Sequence, residues 1–167
     1  MRHMLFALLL VLIVSPSRAQ DGYVVSLQTS MNRMDLYSGI RFGTKFARWE
    51  GGVSFETGIN RTFIQSRFYP RVTAGSNLNI VDKDKFRVGP ALSYSYSMLK
   101  VNKNTGSIHQ WNEVYGGYVL SCGNTWRFCH SAMTGLMNER FISQVTTERI
   151  GVNTLGFYIS FGIAYAW

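Results

Sequence analysis

Apolar and polar residues alternate along most of this chain, most cleanly at its end. Phe157, Ile159, Phe161, Ile163, Tyr165 and Trp167 share one parity, while Tyr158, Ser160, Gly162, Ala164 and Ala166 share the other. A period of two describes a strand with two unlike faces. The same pattern predicts eight strands, at about 22–31, 34–46, 49–63, 69–80, 86–98, 111–122, 125–137 and 154–167. One face is large and apolar, as in Met34, Leu36, Ile40, Phe42 and Phe46 of the second segment. The other is rich in Gly, Ser and scattered charge, as in Ser93, Ser95 and Ser97 of the fifth. No helical periodicity of useful length and no linker composition interrupts the series.

The connections alternate in length. Ala47-Arg48, Val81 to Lys85 and Gly123-Asn124-Thr125 are short; Ile64 to Phe68, Leu99 to Gln110 and Asn138 to Asn153 are longer. The short Asn32-Arg33 connection is the exception. Facing residues of an antiparallel pair point the same way. The expected pairs Phe46 with Trp49, Ile80 with Phe86, and Cys122 with Trp126 each align apolar faces.

These features predict an all-β fold, an eight-stranded antiparallel up-and-down transmembrane β-barrel. In such a barrel, short turns lie on the periplasmic side and longer loops outside. The interior of eight strands is narrow and filled by side chains, which suits Gly, Ser and paired charges. The interior set is Arg41, Lys45, Glu50, Glu56, Arg71, Arg87, Glu113 and Arg127. Lys45 is expected across from Glu50, and Arg41 diagonal to Glu56. Phe46, Trp49, Phe86, Trp126, Tyr165 and Trp167 fall at the short-turn ends of the apolar face, as a membrane-interface girdle. Phe63, Met98 and Trp111 are expected to form its counterpart at the other end. The fold-level rival is a secreted lipocalin-like carrier, with the apolar face turned inward.

The N-terminus changes the picture. Met1-Arg2-His3 is a basic start, Met4 to Val14 an apolar run, and Ser17 and Ala19 the small residues of a cleavage site. This is the pattern of a signal peptide. It divides the chain into residues 1–19, the export signal, and residues 20–167, the barrel. Loss of Arg2 and Arg18 lowers the formal charge from +8 to +6. With no Lys/Arg run and no nucleic-acid motif, nucleic acid is not an expected partner.

In architecture, residues 20–167 resemble the small eight-stranded outer-membrane barrels of Gram-negative bacteria, of the OmpA-transmembrane-domain and OmpX type. They also resemble the outer membrane protein beta-barrel domain proteins of Bacteroidetes-type bacteria. The motif-like part is the last strand, with Tyr158, Phe161, Ile163, Tyr165 and Trp167. The resemblance implies that this strand is the signal read by the barrel-assembly machinery, and that the protein is integral to the cell outer membrane.

Candidate chemistry is sparse. Cys122 and Cys129 sit on opposite parities, against a disulfide, and no Cys/His spacing suits a metal. His130 has outward parity, like the catalytic His of lipid A deacylases, which have a Ser two residues away. Here that position is Ala132, while Ser131 faces inward. His109 reads as a solvated loop residue. Arg33, Arg67, Lys100, Lys103, Arg140 and Arg149 in the loops are candidates to meet lipopolysaccharide phosphates. The expected role is non-enzymatic: a structural or interaction barrel, without cofactor, whose loops 99–110 and 138–153 meet lipopolysaccharide or a protein partner. The alternatives are a membrane-embedded lipid A or phospholipid-modifying enzyme around His130, and a narrow porin-like pore.

Overall fold

The computed structural model describes residues 22–64, 68–83, 85–100, 108–142 and 148–167. The expected export signal lies outside them. The strands are β1 (Gly22–Asn32), β2 (Leu36–Phe46), β3 (Trp49–Gly58), β4 (Pro70–Leu78), β5 (Val81–Lys83), β6 (Phe86–Lys100), β7 (Ile108–Gly123), β8 (Trp126–Ile142) and β9 (Arg149–Ala166). Each pairs antiparallel with its neighbours, and β4–β6 pairing closes the sheet into a barrel. The short β5 continues the line of β4 along β6, so the wall has eight staves.

β1 and β9 seal the wall. The amide N–H of Tyr23 donates to the carbonyl of Trp167 at 3.1 Å, and that of Trp167 donates back at 3.2 Å. The last residue is therefore a paired member of the sheet. Alternation sorts the side chains as a closed wall requires. Leu27, Phe55, Leu92, Trp126 and Leu155 stand exposed on the outer wall, while Ser26, Gln28, Ser54, Thr73, Ser95 and Ser131 are buried inside.

Phe46 pairs with Trp49, as expected from the two-residue turn. Ala47 in that turn has φ of 49°. A positive φ at the first turn position matches the twist of the flanking strands, and Gly bears it without steric cost. The other tight turn uses Gly123, with φ of 116°.

Two expected registers are corrected. Cys122 faces Phe128, not Trp126; the shift of two residues keeps every side chain on its face. Phe86 faces Lys83, not Ile80. The cause is a bulge: Asn77 pairs with Ala91 but Val81 pairs with Val88, so one extra residue sits on the β4–β5 side. A bulge adds one residue and changes parity beyond it. Asp82 thereby turns toward Lys45 and Arg87. Gly89 lies opposite, where an added Cβ would strike the Leu78 carbonyl.

At the other end three expected boundaries move. The third strand stops at Gly58, and Asn60–Ile64 forms a π-helical turn. The Asp35 carboxylate accepts the amides of Asn60 and Arg61, each at 3.1 Å. Strand runs into both expected loops, 99–110 and 138–153, since β6 reaches Lys100, β7 starts at Ile108, β8 reaches Ile142 and β9 starts at Arg149. β1 stops at Asn32, opposite Tyr158. The outer parts of β6 to β9 therefore project past the closed barrel as a tongue.

Ala47→Gly is expected to raise unfolding stability by about 0.5–1 kcal/mol, because a left-handed Ala costs about 1–2 kcal/mol and Gly returns part of that as chain entropy. The denaturant midpoint of the refolded barrel measures it.

Candidate functional site

The outer wall carries little chemistry, so the candidate site is the interior and its two ends. At the centre Arg71 is fully enclosed, with Nη1 3.5 Å from Glu56 Oε2 and Nη2 3.2 Å from Glu113 Oε2. Both carboxylates are also enclosed. Arg71 Nη2 donates to Ser95 Oγ at 3.1 Å. Asn32 Nδ2 donates to Glu113 at 2.7 Å, and Gln28 Nε2 to Glu56. The guanidinium also lies 4.5 Å from the Tyr37 ring centre and 5.0 Å from that of Tyr158. One cation thus joins residues from β2, β3, β4, β6, β7 and β9. Glu56 and Arg71 face each other directly in the β3–β4 register.

Toward the short turns lies a cavity of about 50 Å³, whose lining includes Arg41, Glu50, Thr73, Ser93, Cys129 and Tyr158. It has room for a few waters at about 10–15 Å³ each. Below it a second charge layer closes the barrel. Lys45 reaches Asp82 at 3.1 Å, Arg87 reaches Asp82 at 2.9 Å, and Arg127 reaches Glu50 at 3.3 Å. The two ion pairs expected from sequence are corrected here. Lys45 and Glu50 do face each other in register, yet each pairs elsewhere, Lys45 with the bulged strand and Glu50 across the lumen with Arg127. Arg41 donates to the Gly75 carbonyl at 3.4 Å rather than to Glu56.

Asp82 belongs to the short-turn rim. Its partial burial raises the carboxyl pKa, but hydrogen bonds and charges from Lys45 and Arg87 outweigh this and hold it below the usual carboxylate value.

At the tongue end the seal is aromatic. Tyr37, Tyr69, Leu99, Trp111 and Met137 form a buried cluster. Trp111 is 1% exposed and inside the barrel, which corrects its expected place on an outer girdle. It shares parity with Glu113 and Tyr115, both buried. Ring contacts run outward in sequence: Tyr37–Tyr69 at 5.5 Å, Tyr69–Trp111 at 5.4 Å, Trp111–His109 at 5.7 Å and His109–Phe141 at 5.1 Å. His109 is in β7, not a loop, and its Nδ1 lies 3.4 Å from Glu139. Sequence reasoning missed this column because its members come from separate parts of the chain. The odd parity of His109, Trp111, Glu113 and Tyr115 was the signal available.

On the outer wall, Phe46, Trp49, Phe86, Trp126, Tyr165 and Trp167 are all exposed near the short-turn end. Trp126, Tyr165, Trp167 and Tyr23 form a row with ring centres 5.0, 5.7 and 6.1 Å apart. In the last strand, Phe161, Ile163, Tyr165 and Trp167 are exposed while Tyr158 is 3% exposed and turned inside. Met98 is exposed; the Phe63 side chain lies outside the described residues.

His130 also stands on this wall, stacked on Phe161 at 4.6 Å. Its Nδ1 lies 3.1 Å from the Ser160 carbonyl, which can only accept, so Nδ1 carries a proton, and Nε2 lies 3.2 Å from Tyr118 Oη. Ser131 points inside and bonds Ser160 Oγ at 2.7 Å. Among the described residues, no serine or threonine hydroxyl bonds the imidazole. Cys122 and Cys129 are free thiols.

The N-terminal β-barrel domain of Pseudomonas aeruginosa OprF superposes on this chain with a TM-score of 0.59, covering 90% of the chain and 100% of that domain at 10% identity. A major outer membrane protein of Thermus thermophilus gives 0.52, over 89% and 100%, at 8% identity. No protein-family model matches the sequence, and no curated protein matches it. The likeness is one of fold: the chain is a closed eight-stranded antiparallel barrel of the kind found in outer-membrane proteins.

Two outcomes follow from the buried charges. Arg71→Met is expected to destabilise the barrel by about 3–5 kcal/mol, because two carboxylates lose their cation. Adding Glu56→Gln and Glu113→Gln to it is expected to restore most of the denaturant midpoint. For Asp82 the stabilisation is complete above the unfolded carboxyl value of about 3.9 and is lost as pH falls through the lower folded value. The acid limb of the stability profile is expected to flatten in Asp82→Asn.

Proposed function

We propose that the protein is an integral outer-membrane barrel, non-enzymatic, with a structural or interaction role exercised through its tongue end. One observation carries this: along the wall between the two ends, large apolar side chains such as Leu27, Phe55, Leu92 and Phe128 face out and the ion pairs face in. In water that arrangement exposes much of the chain's apolar surface. In a bilayer it matches the band and girdle of a spanning barrel. Trp126, Tyr165, Trp167 and Tyr23 then anchor the periplasmic boundary, and the exposed side chains of the last strand serve as the assembly signal. The tongue projects outside, where lipopolysaccharide or a protein partner meets it.

The rival readings fare worse on specific grounds. A lipocalin-like carrier needs an apolar cavity, and this lumen holds Arg71, Glu56 and Glu113. A lipid-modifying enzyme needs an activated nucleophile beside His130, whose two nitrogens are bonded to Ser160 and Tyr118. A steady pore needs a continuous water path, and the centre of this lumen is occupied by the enclosed Arg71, Glu56 and Glu113.

Fractionation with gel electrophoresis, with and without boiling, tests the reading. The protein is expected in the outer-membrane fraction with a mobility that shifts on heating. Recovery in the soluble periplasm without a shift would sink it. In planar bilayers the wild-type barrel is expected to show no steady conductance. Expression is expected to leave lipid A and phospholipid masses unchanged, with or without His130→Ala.

A further inference from the structure

We propose that the tongue end binds a phosphate-bearing ligand through Arg61, above the ring of Trp111. The site requires only that this mouth meet solvent, so it goes beyond the membrane reading above. Arg61 is held from both ends. Its amide donates to Asp35 Oδ2 at 3.1 Å, which fixes the π-helical turn. Its guanidinium carbon lies 5.0 Å from the Tyr69 ring centre and 5.5 Å from that of Trp111. The Asp35 oxygens also take the amides of Leu36 at 2.8 Å and Asn60 at 3.1 Å, and no ion pair joins this carboxylate to the Arg61 guanidinium among the described residues.

The contrast with Arg71 is informative. Both arginines stack on the same column of rings, but Arg71 has two carboxylate partners and Arg61 has none among the described residues. Arg71 is enclosed, whereas Arg61 is partly open to solvent. A second donor lies beneath it. Trp111 is 1% exposed, and its indole Nε1–H has no acceptor among the described residues. Leaving a buried N–H unpaired costs about 1–3 kcal/mol, so such a group marks a place where an acceptor is expected. His109, 5.7 Å from the same indole ring, brings an imidazole to the rim, held by Glu139.

A planar guanidinium stacked on aromatic rings keeps its N–H edge free, and that edge matches two oxygens of a phosphate. An anion that draws this edge outward uncovers the indole N–H for a further hydrogen bond. A phosphate monoester has oxygens enough for both donors. It can come from a lipopolysaccharide in the same leaflet or from a soluble phosphate ester.

The test uses the refolded mature chain in a maltoside detergent, which carries no phosphate. The indole N–H resonance of Trp111, assigned by its loss in Trp111→Phe, is followed during titration with inorganic phosphate, with glycerol phosphate and with phosphorylated lipid A. The expected result is a saturable shift of that one resonance. Arg61→Gln is expected to weaken binding roughly tenfold or more, with Arg61→Lys intermediate because it loses the two-point contact. Heat-shifted gel mobility of each variant checks that it has folded. Saturation by soluble phosphates identifies phosphate itself as sufficient; saturation by lipid A alone identifies the lipid as the source. No saturable shift with any of the three, or equal affinity in a folded Arg61→Gln variant, would overturn the proposal.

Discussion

The enclosed Arg71 sets the terms for the rest of the barrel. A charge without water is tolerable only when partners surround it on all sides. Glu56, Glu113, Ser95, Tyr37 and Tyr158 supply them from five other strands. Eight staves leave a lumen narrow enough for one side chain to touch them all. Strand number, inward parity and this cluster are thus mutually dependent: shifting one strand by a residue removes a partner from the cation and turns an apolar row inward.

Alternation made the wall legible in the sequence, and it did so robustly. The Cys122 register was misread by two residues, yet Val114, Tyr118, Trp126 and Phe128 still face out and Glu113, Tyr115, Arg127 and Ser131 still face in, because the period is two. The bulge before Val81 was not legible, since a single extra residue leaves no mark on composition. It matters all the same, because it turns Asp82 into the partner of Lys45 and Arg87. Trp111 shows the opposite fault. Its parity placed it inside with Glu113 and Tyr115, and the expectation of an aromatic ring at the strand end overrode that signal. Ion-pair choice was beyond reach for another reason: Glu50 bonds Arg127 across the lumen, and neighbour pairing along the wall carries no information about that distance.

The two ends solve the problem of closure by different chemistry. The short-turn end uses charge: Lys45, Asp82 and Arg87 in one group, Arg127 and Glu50 in another. These groups keep some contact with water, with side-chain exposures of 8–23%, so their burial cost is limited. The tongue end uses rings, which tolerate full burial and pack against the guanidinium groups of Arg61 and Arg71. A carboxylate beside Arg61 would neutralise it; the local carboxylate, Asp35, is engaged by backbone amides instead. The turn's stability and the availability of its cation therefore have the same cause.

The same constraint explains why a histidine sits quietly on the outer wall. An imidazole set among apolar side chains is best satisfied when both its nitrogens are hydrogen-bonded. His130 meets that condition through the Ser160 carbonyl and the Tyr118 hydroxyl, with Phe161 covering its face. The Ser160 carbonyl accepts the Nδ1–H hydrogen bond. Nε2 is then already occupied by the Tyr118 hydroxyl. A serine at position 132 would stand on the same wall as this ring, but alanine stands there, so the imidazole's bonds go to the wall itself.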